Sequence, residues 1–232
     1  QTVTVTADIN MESVENWIPI GTKDNPFMGT FDGGEHTIKG LKLITDDVVD
    51  GYGFFGVVGS ANNDVTVTVK NLKFEDVTVS ASNGENVGTV IGIMPRGCKS
   101  NLTINNVTVE SGSVSAKKHT AGLLGKSYTQ GNLTIEKCVN KANITGGGSG
   151  NVGGIVAIIS EKPATVTINN TENYGNVTHN GAIGVGGIVG NISGEAVTIV
   201  TINACKNTGK VSATGNCTVS GIANIGKIVK LI

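Results

Sequence analysis

A short glycine motif returns six times along the chain at nearly fixed intervals. It reads GYGFFG at 51–56, VGTVIG at 87–92, TAGLLG at 120–125, VGGIVA at 152–157, VGGIVG at 185–190 and VSGIAN at 219–224. Its third residue falls at Gly53, Thr89, Gly122, Gly154, Gly187 and Gly221, so the spacings are 36, 33, 32, 33 and 34. A second motif keeps the same period: VTVKN from Val67, LTINN from Leu102, LTIEK from Leu133, VTINN from Val166 and VTINA from Val200. Two motifs locked to one period specify a solenoid, because a unit this small cannot bury its apolar face alone and stacking of neighbours supplies the core.

The second motif alternates apolar and polar residues, as in Leu102, Thr103, Ile104 and again in Val166, Thr167, Ile168. That is the period-2 signature of a half-buried strand. A brief β-branched segment follows in each repeat (Val77 and Val79, Val114, Ile144, Val177, Val211), and the glycine motif adds a third apolar run. No helical periodicity competes. The expectation is an all-β parallel β-helix of about six rungs, each of ~33 residues with three short strands. Thr68, Thr103, Thr134, Thr167 and Thr201 form an outward column, and Asn71, Asn106 and Asn170 a partial asparagine ladder at a turn, where Asn tolerates left-handed backbone. A phosphate-loop reading of the glycines fails, since no helix follows and the motif recurs in every rung.

The repeat makes residues 1–232 one domain, with 1–50 as an N-terminal rung and cap and 51–232 as the repeats. Net charge is −1 with a single arginine, Arg96, which argues against a nucleic-acid partner. Charge is unevenly spread, at −8 over residues 1–85 and +7 over 86–232. In a solenoid that becomes a dipolar rod, suited to end-on self-association or docking of a neighbouring domain. No apolar run is long enough to span a bilayer, and the chain opens on Gln1 rather than a signal-like start, so its original start is expected upstream. The end at residues 228–232 shows no clear cap. Cys98, Cys138, Cys205 and Cys217 have no metal-ligand spacing. Cys138 and Cys205 share a repeat position with Thr171 between them, which places them about two ~4.8 Å coils apart, too far to bridge.

The stretch from Trp17 through Pro19, Ile20 and Gly21, and then FMGTFDGGEHTIKGL from Phe27 to Leu41, is the most distinctive part of the chain. With the repeats, and with the literal Gly122, Leu123, Leu124, Gly125, it resembles the GLUG-motif proteins of bacterial cell surfaces. The segment ADINM at 7–11 looks like the strand that opens that family's first rung. The resemblance implies a right-handed parallel β-helix, exported to the cell surface or secreted, usually as part of an adhesin-like protein. The repeats also resemble those preceding the catalytic domain of IgA-cleaving zinc peptidases. That chemistry needs HExxH, whereas His36, His119 and His179 are followed by TIKG, TAGL and NGAI. The peptidase activity therefore does not carry over.

Candidate sites lie in the turns, which pile up along two sides of a solenoid. Arg96 and Tyr128 occupy neighbouring turns of one stack, Lys117 and Lys118 a turn of the other, and these four are the candidate contacts to a glycan or extracellular protein ligand. Asp46, Asp47 and Asp50 are a weak calcium candidate without a recognised ligand spacing. Asp32 and His36 in FDGGEHT read as turn chemistry around Gly33 and Gly34. Seven of the nine aromatics lie in the first third and are expected to fill and cap the first rungs rather than stack on sugars. No cofactor is implied. The functional expectation is a non-catalytic surface module that binds a ligand as an adhesin, with a rigid spacer as the alternative and a carbohydrate-cleaving β-helix enzyme as the less favoured one.

Overall fold

The repeated Val-Thr-Ile units stack in register. The computed structural model describes residues 1–181, 183–193, 199–215 and 217–225. In it Thr68, Thr103, Thr134, Thr167 and Thr201 are successive partners in parallel ladders, with Thr30 ahead of them. On the inner side Val67, Leu102, Leu133, Val166 and Val200 form one fully buried column, and Val69, Ile104, Ile135 and Ile168 another. Alternation along the strand thus becomes translation along an axis: like side chains meet like, and each apolar face is covered by the next rung.

Four parallel sheets run the length of the molecule. Sheet 1 holds the long strands Thr30–Lys39, Thr66–Glu75 and Asn101–Val109 and their shorter successors Leu133–Glu136, Val166–Asn169 and Val200–Asn203. Sheet 2 contains six strands, from Lys42–Thr45 through Val77–Ala81, Gly112–Ala116 and Asn143–Gly146 to Val177–His179 and Val211–Ala213. The glycine motif was expected to supply one strand and supplies two. Val87–Gly88, Thr120–Ala121, Val152–Gly153, Gly184–Gly186 and Thr218–Ser220 make sheet 3, while Phe55–Val57, Ile91–Met94, Leu124–Ser127, Val156–Ile159, Val189–Ile192 and Ala223–Ile225 make sheet 4. The motif's third residue sits on the bend between them. A Cβ on Gly154 would lie 2.1 Å from the Gly187 carbonyl oxygen and 2.4 Å from Asn173 Cγ, so the chain turns there only where no side chain intrudes.

The corner inside sheet 1 is made by left-handed residues. Asn71, Asn106 and Asn170 have φ of 53°, 54° and 49°, and Lys137 and Ala204 take the same place in their rungs at 56° and 50°. Asn106 Nδ2 donates to Asn71 Oδ1 at 3.1 Å, and Asn71 Nδ2 to Asp32 Oδ1 at 3.0 Å, so the expected partial ladder is present. A second, buried ladder was not expected. Asn140 Nδ2 donates to Asn173 Oδ1 and Asn173 Nδ2 to Asn207 Oδ1, each at 2.8 Å, and each amide also closes a local loop onto the carbonyl two residues on.

Residues 1–28 form an incomplete first coil. Thr2–Thr4 and Ile9–Asn10 pair with Thr30–Asp32 and Ile38–Lys39, and Ile20 and Phe27 bridge to Phe55 and Val58. Of the ADINM segment only Ile9–Asn10 is strand. The aromatics plug this end: Trp17 stacks on Phe54 at 5.0 Å with planes 4° apart and donates its indole N–H to the Phe54 carbonyl, while Phe31, Phe54, Phe55 and Phe74 pack edge to face. Phe31, Tyr52, Phe54, Phe55 and Phe74 are buried, which assigns them to the core. All four cysteines are free thiols, and Thr171 lies between Cys138 and Cys205 as expected, its hydroxyl 3.4 Å from the Cys138 amide. Turn residues Ala182, Gly194, Glu195 and Asn216 and the end at 228–232 lie outside the described residues.

Candidate functional site

The turns between sheets 4 and 1 stack Arg96, Tyr128 and Glu161 on three successive rungs. The Tyr128 amide donates to the Met94 carbonyl and the Ser160 amide to the Ser127 carbonyl, which fixes this order. Arg96 reaches across the middle rung to pair Nη2 with Glu161 Oε1 at 3.0 Å, and on the way its guanidinium lies 5.1 Å from the centre of the Tyr128 ring. Lys126, two residues before Tyr128, places Nζ 4.3 Å from the same ring. Two cations therefore lie over the phenol just past a strand end, and Arg96 itself is largely exposed. Arg96 and Tyr128 were legible as neighbours from their turns. Lys126 and Glu161 were not singled out; Glu161 stands in the same turn stack and Lys126 in the strand that leads into it.

Lys117 and Lys118 belong to the other side, the turns between sheets 2 and 3. Lys118 Nζ pairs with Glu85 Oε1 at 2.6 Å on the preceding rung, and this ammonium, hydrogen-bonded to the carboxylate, holds Glu85 below the usual glutamate range. Lys117 is exposed. The four candidate contacts thus form two groups on different corners rather than one site. Beside Lys118, His119 is mostly buried and its Nδ1 accepts the Asn151 amide at 3.2 Å. Burial, helped by the nearby Lys126 charge, pushes its pKa down to about 4.

The aspartates at 46, 47 and 50 do not converge on a cation position. Asp46 accepts from the Ser82 hydroxyl, and its carbonyl accepts from Asn83 Nδ2 at 3.0 Å. The carbonyls of Asp47 and Asp50 are taken by the Tyr52 hydroxyl and by Asn86 Nδ2, so the loop is tied down through its backbone. Among the described residues no three His, Cys, Asp or Glu side chains are placed to hold a metal ion. Asp32 does what a turn residue does: its Oδ1 accepts the Gly34 amide at 3.0 Å, and Lys70 pairs with its Oδ2. His36 faces Asp8 rather than Asp32, at 3.2 Å.

A parallel β-helical solenoid whose first coils carry clefts and whose corners carry clustered side chains is the class of protein that emerges. No family model matches the sequence, and no curated protein matches it. Among solved structures the chain is similar to the putative immunoglobulin A1 protease from Bacteroides ovatus, with a TM-score of 0.69 over 97% of this chain and 77% of that one, at 20% identity. At that identity the likeness carries the fold alone. Among the described residues no helix is long and apolar enough to cross a membrane.

Proposed function

We propose that this chain is a non-catalytic, exported module of the GLUG-repeat kind that binds a host or glycan ligand as an adhesin does. The observation that carries the reading is Tyr128 with Arg96 and Lys126 over its ring at an exposed corner. An aromatic ring flanked by two cations suits a ligand with a flat apolar face and a carboxylate or sulfate, which is the chemistry of an acidic glycan. A site on stacked strand ends is pre-ordered and loses little entropy on binding. The Glu161 and Glu85 carboxylates are engaged by cations and that of Asp46 by the Ser82 hydroxyl, rather than facing one another as an acid and base would.

A glycan array with purified protein tests this, combined with polysaccharide-degradation assays. Binding of acidic glycans that falls about tenfold or more in Arg96→Ala and Tyr128→Ala supports the proposal. Cleavage of a polysaccharide that is abolished by Asp46 or Asp47 substitution would overturn it, and absence of binding to any glycan or matrix protein would favour the spacer.

A further inference from the structure

The first two coils leave an apolar groove open on the side opposite the Tyr128 corner. Two clefts, of about 310 and 160 Å³, meet at Ile18, Pro19 and Val49. Ile18 is 84% exposed and Val48 77%, the highest values among the large apolar side chains of the described residues, and Val49 stands about half out of the surface beside them. Exposed aliphatic side chains scattered singly are ordinary, but three gathered over two joined clefts are a patch.

The walls of this groove carry uncompensated negative charge. Asp50 lines the larger cleft and Asp47 the smaller. Several carboxylates elsewhere are paired across rungs, Asp32 with Lys70, Glu85 with Lys118, Glu110 with Lys73 and Lys141, and Glu161 with Arg96. Among the described residues Asp46, Asp47 and Asp50 pair with no lysine or arginine, and they stand within residues 1–85, which carry −8. An apolar groove rimmed by free carboxylates fits an aliphatic side chain flanked by cations.

We propose that this groove docks a short segment of a partner protein in which aliphatic residues alternate with lysine or arginine. The aliphatic side chains enter the clefts beside Ile18 and Val49, and the cations meet Asp47 and Asp50. The surface is separate from the Arg96–Tyr128 corner, so its occupancy does not depend on the adhesin reading.

The test is a ¹⁵N-resolved NMR titration of the whole chain with an acetylated, amidated peptide alternating lysine with leucine. Control peptides carry glutamate for lysine or serine for leucine. The expected result is saturable shifts confined to the residues around Ile18 and Val48, with a dissociation constant below about 1 mM. Binding should weaken about fivefold or more when salt is raised from about 20 to 300 mM, and similarly in Asp47→Asn/Asp50→Asn. Ile18→Ser/Val48→Ser, at positions too exposed to unfold the protein, should abolish it. Failure to saturate, equal binding of the glutamate peptide, or shifts elsewhere would overturn the proposal. So would concentration-dependent self-association in sedimentation that the Ile18→Ser/Val48→Ser variant removes, which would make a second copy, with its basic half, the occupant.

Discussion

Replacing Asn173 should unfasten the solenoid from inside. Its side chain is almost wholly buried and takes part in three hydrogen bonds at 2.8 Å: it accepts from Asn140 Nδ2, and it donates to Asn207 Oδ1 and to the Gly175 carbonyl. Asn173→Ala deletes all three, at a net ~1 kcal/mol each, and leaves the Gly175 carbonyl and the Asn207 amide oxygen short of a donor, so the expected loss is about 3–4 kcal/mol. Asn173→Leu separates bonding from bulk. Leucine keeps the branched four-heavy-atom outline of asparagine with bulkier ends, so if the ladder merely filled space it should restore much of what alanine loses. Instead it should cost at least as much as alanine, because methyl groups would face the Asn140 amide and the bare Cα of Gly154. Asn203→Ala, at an exposed position, is the control and should stay within about 0.5 kcal/mol of the parent. Urea unfolding by circular dichroism gives the differences. Amide exchange at Tyr174 and Gly175, both bonded to the Asn140 carbonyl, shows whether the damage is local to those rungs. If both Asn173 variants match the control, the ladder is ornament and the argument from buried amides is wrong.

Two further outcomes follow from the buried groups. Burial pushes the Cys138 thiol up to about 12, so in the native protein at pH 8 iodoacetamide should leave Cys138 unmodified while labelling the partly exposed Cys217; mass spectrometry showing the reverse would refute the burial order. His119 is held neutral in the fold, with a folded value of about 4 below the usual 6.5, so the unfolded chain binds its proton first. Its contribution is fully present above pH 6.5 and is lost progressively as pH falls toward 4. His119→Gln should flatten the pH dependence of stability in that window and nowhere else, as read from urea midpoints at pH 4 to 7.

The stacked columns were legible because a period-2 strand inside a fixed repeat leaves one register that keeps Val and Ile inside. The asparagine corner was legible at Asn71, Asn106 and Asn170, where residue type announces left-handed backbone. It was not legible at Lys137 and Ala204, which take that conformation in register with the left-handed residues of the neighbouring rungs. The buried ladder escaped because a lone Asn two residues before Ala or Gly looks like an ordinary turn; its signal was the spacing, Asn140, Asn173 and Asn207 standing 33 and 34 apart. The glycine motif reads as one apolar run, and only the clash a Cβ would make at Gly154 or Gly187 shows that it bends into two sheets. Lys117 and Lys118 were sorted from Arg96 and Tyr128 by sequence, since their turns fall at different places in the repeat, one before the glycine motif and one after it. Lys126 lies inside a strand, where turn-based reasoning does not look.

The uneven charge of the chain acquires a sharper meaning once its pairs are drawn. Lys70 with Asp32, Lys118 with Glu85, Lys73 and Lys141 with Glu110, and Arg96 with Glu161 all join different rungs. Exposed pairs of this kind contribute about 0–1 kcal/mol each, too little to hold a solenoid whose columns of Val, Ile and Leu already do so. Their consequence is instead subtractive: they cancel charge where these acids and bases meet. Among the groups left without an opposite partner are the acids at 46–50 over the apolar groove and Lys126 beside Tyr128. A repeat built for uniform stacking can offer a partner only what it fails to neutralise or cover, and those two places, on different corners, are where recognition can be specific.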